Sequence, residues 1–162
     1  MNRRGFGRPL AIVFTAVLIS GCTQPETGPV YPTGLDPKTP AKDLKGISPS
    51  STQAACCWMA KRNRLNLQIP PTANSIVLTI EVPTGIYKNV GQGASIQVGG
   101  GSTQHQALHL GSQDVIVPLP VAVRGTKVQI AITLDESFVP AKLGMNNDTT
   151  EYSAFLRSVA FS

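Results

Sequence analysis

Charge is scarce in this chain. Asp, Glu, Lys and Arg make up 14% of its 162 residues, against roughly a quarter in an average globular protein. That excludes a charge-rich disordered chain and a coiled coil, both of which need dense charge. Aromatic residues reach only 6%, with a single Trp. No cluster of Lys and Arg with interleaved rings exists, so a nucleic-acid binder is unsupported despite the formal charge of +5. Long apolar runs are missing apart from PLAIVFTAVLIS, residues 9–20, which is short of the roughly 20 residues a membrane-crossing helix needs. Catalytic signatures are missing too. No Ser sits in a Gly-x-Ser-x-Gly elbow, and Gly91-Gln92-Gly93 is not followed by the Lys and Ser/Thr of a phosphate loop.

What is present begins with a targeting segment. Arg3, Arg4 and Arg8 precede the apolar run, the layout of a secretory signal peptide. The run ends in Leu18-Ile19-Ser20-Gly21-Cys22, which resembles the lipobox of bacterial lipoproteins. The resemblance implies cleavage before Cys22 and a diacylglyceryl thioether on its sulfur, with palmitate-type acylation of the new N-terminus. Thr23 stands where an Asp would resemble an inner-membrane retention signal, so the expected destination is the outer membrane of a diderm cell. The start Arg3-Arg4-Gly5-Phe6 is compatible with either general or twin-arginine export. Removing residues 1–21 takes away three Arg and no acid, leaving 11 basic against 9 acidic side chains, a formal +2.

Residues 22–53 read as a lipid-anchored Pro-rich tether. Pro recurs at 25, 29, 32, 37, 40 and 49, with Gly at 28, 34 and 46, and no apolar period survives. Such a composition cannot bury a core and favours an extended, disordered chain. Its end, from Leu44 to Ile47, is the part that can pack on a folded domain.

Residues 54–162 read as one all-β domain. Leu65, Leu67 and Ile69 alternate, as do Ile76, Leu78, Ile80 and Val82, and again Val128, Ile130, Ile132 and Leu134. Shorter alternations at Ile96–Val98, Ala107–Leu110 and Val115–Val117 lie between Gly- and Pro-rich turns. Period two between turn residues indicates a β-sandwich or barrel. Gly99-Gly100-Gly101-Ser102 predicts a hairpin over Ile96–Leu110. In the last strand, about 153–161, Arg157 breaks the apolar parity, and a bulge that puts Leu156 and Val159 on one face resolves it.

The stretch Phe138-Val139-Pro140-Ala141-Lys142-Leu143-Gly144-Met145-Asn146-Asn147-Asp148, followed by Ala154-Phe155-Leu156-Arg157-Ser158-Val159, resembles the end of a jelly-roll domain found attached to bacterial glycosyltransferases and other polysaccharide proteins. That domain looks like a carbohydrate-binding module. Cys57-Trp58-Met59 and Arg64-Leu65-Asn66-Leu67 occupy the place of its Trp-containing opening, and Val117-Pro118-Leu119-Pro120 that of a middle strand end. The chain departs from the family's pattern at Thr149-Thr150-Glu151 and Tyr152-Ser153, where an Arg and a Gly are usual. The resemblance implies a jelly-roll-type β-sandwich and glycan binding.

Cys56 and Cys57 are adjacent in an exported chain. They can form a vicinal disulfide, remain as buried thiols, or pair with another chain. A vicinal disulfide would be a rigid apolar plate beside Trp58. Sugar recognition combines aromatic faces with hydrogen bonds to hydroxyls, so Trp58, Tyr87 and Tyr152 are the candidate ligand-binding residues. Tyr87 is expected in an accessible loop over Pro83–Gly93. His105 and His109 are too far apart along a strand, about 13 Å, to share a metal. Asp135 and Glu136 point to opposite faces of a strand and do not pair as acid and base. The expectation is a non-catalytic protein without cofactor or metal, lipid-anchored through Cys22 in the cell envelope, that binds a polysaccharide. The alternative is an assembly lipoprotein docking on a protein partner of an export or secretion complex.

Overall fold

The structure, a computed structural model, describes residues 31–35, 39–48, 57–87 and 92–162. The signal peptide, Cys22, Cys56 and most of the tether lie outside the described residues. Eight strands form in chain order: β1 (Leu44–Ser48), β2 (Trp58–Gln68), β3 (Ser75–Val82), β4 (Gln92–Val98), β5 (Thr103–Leu108), β6 (Gly111–Pro118), β7 (Lys127–Leu134) and β8 (Ala154–Phe161). Three short 3-10 turns, Ala41–Asp43, Val121–Val123 and Pro140–Leu143, are the only helical pieces among the described residues.

The strands lie in the order β5-β4-β7-β2-β8-β3-β6, all antiparallel. The pairs are nested. β4 pairs with β5, β3 with β6 and β2 with β7. The start of β2 then pairs with β8 through Trp58 opposite Phe155 and Met59 opposite Ala154. A long antiparallel ribbon rolled up in this way is a jelly roll. One layer is β2-β7-β4-β5 and the other is β8-β3-β6, with β2 bending from one into the other.

Inward residues at period two fill the space between the layers. Ile76, Leu78, Ile80 and Val82 of β3 face Ile96, Ile130, Ile132 and Leu134 of the other layer, all within one continuous core. β-branched side chains at these positions fit a pleated, buried surface. The expected hairpin is β4–β5, paired from Gln92 opposite Leu108 to Gln97 opposite Thr103. The expected bulge is in β8: Thr79 pairs with Ser158 and Ile80 with Leu156, so Arg157 is the extra residue. Leu156 and Val159 both point into the core as a result.

The folded unit begins before residue 54. Thr33 forms a parallel bridge with Ser158, and β1 runs along β2 on both sides of its bend. Leu44 and Lys45 pair with Leu65 and Arg64, and Ile47 and Ser48 with Met59 and Trp58. The Pro-rich tether expected over 22–53 therefore gives up its later part to the sandwich, because Leu44 and Ile47 bury their side chains in the core. Gly46 makes this crossing possible. Its φ is +86°, and a Cβ there would stand 2.4 Å from the Arg62 carbonyl oxygen and 2.9 Å from Asn63 Oδ1.

Candidate functional site

The three aromatics singled out from the sequence do come together. Trp58 opens β2 and Phe155 lies opposite it on β8, with ring centroids 3.6 Å apart. Phe138 and Tyr152 are fixed beside them by a two-way backbone bridge, in which each N–H donates to the other's carbonyl. Tyr152 lies 5.0 Å from Trp58, and Tyr87 meets Phe138 edge-on at 6.2 Å. Arg157, the bulged residue, places its guanidinium 4.1 Å over the Phe155 ring and pairs with Glu81 at 2.8 Å.

The arrangement is a stack in which rings cover one another. Arg157 lies on Phe155, Phe155 on Trp58 and Trp58 on Tyr152, so much of the ring surface is taken up by contacts within the cluster. Tyr87 is half-buried rather than accessible, and its hydroxyl donates to the Ser153 carbonyl at 2.7 Å. Burial raises its pKa above the ordinary tyrosine value. Tyr152 donates to Asp148 Oδ2 at 2.9 Å; burial, then the Asp148 hydrogen bond, raise its pKa. Asp148 is held below the usual carboxylate range, first by the Thr150 backbone N–H. These groups close one end of the sandwich.

Cys57 is disulfide-bonded and its side chain is fully buried. The reading of Cys57 as a buried thiol is thereby overturned. Cys57 faces the core while its neighbour Trp58 is half-exposed; the pairing with Cys56, and the cystine plate it would form, lie outside the described residues.

The other exposed feature is the outer face of β1, β2, β7, β4 and β5, which sequence reasoning did not single out. The register aligns its outward residues in rows. Arg62, Thr133, Ser95 and His105 form one row across four strands. Lys45, Arg64, Ala131, Gln97 and Thr103 form the next across five, spanning roughly 19 Å at the usual strand spacing. Asn66 and Gln129 follow, then Gln68 and Lys127. No aromatic residue lies in these rows.

The polar groups of this face are tied into short networks. Gln129 Nε2 donates to Asn66 Oδ1 at 3.4 Å, Asn66 Nδ2 to Asp43 Oδ1 at 3.2 Å and Lys127 Nζ to Asp43 Oδ2 at 2.7 Å. At the β5 side, a depression of about 270 Å³ is lined by Gly93, Ser95, His105, Ala107 and Asp135. Gly93 leaves room there for the Asp135 carboxylate, which a Cβ would displace. Ser95 Oγ lies 2.9 Å from His105 Nδ1, a nucleophile-to-base distance, but no hydrogen bond to a carboxylate orients the ring among the described residues. The backbone N–H groups around Ser95 are engaged in sheet pairing on both sides, so none converges as an oxyanion hole. His109 lies in the turn after β5, apart from His105. No group of three His, Cys, Asp or Glu side chains that could hold a metal occurs among the described residues.

Searches of protein-family models, curated proteins and solved structures find no match to this chain.

Proposed function

We propose that the protein is an exported lipoprotein, anchored through Cys22 in the outer membrane of a diderm cell, whose jelly roll binds a cell-envelope polysaccharide without catalysis. The observation that carries this reading is the outer face of β2-β7-β4-β5. It is broad and rich in amides, hydroxyls and guanidiniums around the small residues Gly93, Ala107 and Ala131. Such a surface supplies donors and acceptors to the many hydroxyls of an extended glycan, with small side chains leaving room for the rings. The lipobox resemblance and the polysaccharide-protein resemblance of residues 138–159 point the same way.

Titration of the purified protein with acidic and neutral envelope polysaccharides tests the reading. Binding is expected to at least one of them, and Ala131→Trp, which raises a ring in the middle of the face, is expected to abolish it. A folded protein that binds none of them, or an Ala131→Trp variant that binds as before, overturns this placement of the glycan.

A second reading, docking on an envelope protein, is favoured by one feature. Leu143 and Met145 are 53% and 58% exposed on the loop after Phe138, beside a groove of about 310 Å³ lined by Phe138, Val139 and Leu143. Cross-linking in membranes followed by capture would recover a stoichiometric partner, lost in the variant Leu143→Asp with Met145→Asp, if this reading holds.

A further inference from the structure

We infer that this face selects a polyanionic polysaccharide, one whose repeating sugars carry carboxylates, and that Arg62 and Arg64 are the residues that read the charge. The inference rests on the glycan reading above and names its ligand class. Three cations lie together on the face: Arg64 pairs in register with Lys45 of β1, and Arg62 lies two residues before it on the same side of β2. All three are exposed. None has an ion pair among the described residues, where Asp43 is taken by Lys127 and Glu81 by Arg157. Glu151 shares a cleft with Lys61 and Arg62, but its carboxylate accepts the Ser137 hydroxyl. Asp135, the remaining acid of the face, stands over Gly93 toward the β5 side.

Unpaired guanidiniums on a stable sheet are suited to carboxylates. The planar fork donates two parallel hydrogen bonds to one carboxylate, and its position is fixed by the strand register rather than by a loop. Arg62 and Arg64 are two residues apart on one strand, about 7 Å, so they address successive anionic groups of a polymer running along β2. Ala131 lies between Arg64 and Gln97 in the row and provides floor space for a sugar ring next to the guanidinium. Gln129 and Asn66 are the neighbouring hydroxyl partners. A nucleic acid fits this face less well. It offers no ring on which a base can stack, and three cations are few for a phosphate backbone.

The test compares polygalacturonate, its fully methyl-esterified form, dextran and duplex DNA, each titrated against the full-length protein in detergent by calorimetry. Methyl esterification keeps the backbone and removes the charge. The acid polymer is expected to bind, with affinity falling as salt rises, while the ester, dextran and DNA bind at least tenfold more weakly. Arg62→Gln with Arg64→Gln is expected to lose about tenfold for the acid polymer, the yield of two exposed ion pairs, at an unchanged melting temperature. Lys142→Gln, which removes a cation outside these rows, is expected to change nothing. Should the double variant not fold, Arg64→Gln alone serves. Equal binding of acid and ester, with the Arg variants unaffected, overturns the anion inference and leaves the glycan reading intact. Equal binding of DNA and the acid polymer also overturns it, in favour of unspecific polyanion attraction. Failure to bind polygalacturonate while dextran or the ester binds overturns it likewise, and failure to bind any of the polysaccharides counts against both.

Discussion

The carboxylate of Asp43 is buried at the end of a 3-10 turn, yet it remains satisfied, because Lys127 and Asn66 each donate to one of its oxygens. The Lys127 ammonium hydrogen bond is the largest influence and holds the carboxyl below the usual range against the opposing effect of burial. Its folded value is thus lower than its unfolded one. The stabilisation it gives is fully present above the ordinary carboxylate range, near pH 4, and is lost as pH falls from there through the folded value. Asp43→Asn keeps an acceptor for Asn66 and removes the charge. The variant is expected to melt lower than wild type at pH 7, with the gap closing as pH falls below about 4. Asp148, also depressed, titrates in both proteins and cancels in the comparison. Melting curves that stay parallel across this range would show that the Lys127 pair does not contribute in this way. Nothing in the local sequence marks Asp43 as special; its partners come from 23 and 84 residues away. Period-two burial, by contrast, depends only on neighbours, and so the inward positions of β3 and β7 were legible.

At the scale of elements, the same distinction separates β8 from β1. The bulge in β8 could be read because Leu156 and Val159 must both be inside while Arg157 must not, a local parity conflict with one cheap solution. β1 was harder to see because its five residues include Lys45, Gly46 and Ser48, with only Leu44 and Ile47 to bury. It becomes a strand because β2 offers it a bent edge and Gly46 can adopt the conformation that follows the bend. The aromatic stack was half legible. The rings involved were named, but their mutual stacking depends on the pairing of Trp58 with Phe155, nearly 100 residues apart. A chain starting at residue 54 should therefore be far less stable than one starting at residue 31. It loses two buried aliphatic side chains worth about 1.5–3 kcal/mol each, the Asp43–Lys127 pair and the cover of the β2 edge. Against a typical total of roughly 5–15 kcal/mol, the shorter chain is expected to melt more than about 10 °C lower or to aggregate. Thermal scans of the two truncations check this; equal melting temperatures would mean that β1 is an appendage rather than part of the sandwich.

For the whole molecule, the N-terminal segment and the proposed glycan face are neighbours. The chain enters the sandwich at Thr33, alongside Ser158 of β8. Beyond that bridge, Gly34, Leu35 and Asp43 line a depression together with Asn66, Gln68 and Lys127 of the proposed glycan face, so the N-terminal segment borders that face. The cysteines provide a test of the lipid attachment. The chain has three, and Cys57 is in a disulfide. A thioether on Cys22 would leave that sulfur unable to form a disulfide, and within one chain Cys56 is then the remaining partner for Cys57. Mass spectrometry of an unreduced digest of the full-length protein is expected to show Cys56 linked to Cys57 in one peptide and a diacylglyceryl group on Cys22. Cys22→Ser is expected to release the protein from membranes into the soluble envelope fraction, with the melting temperature and the Cys57 disulfide unchanged, because the folded domain does not depend on the anchor. A Cys22–Cys57 link in the mature protein would overturn the lipid attachment directly, because a sulfur held in a disulfide cannot carry the thioether.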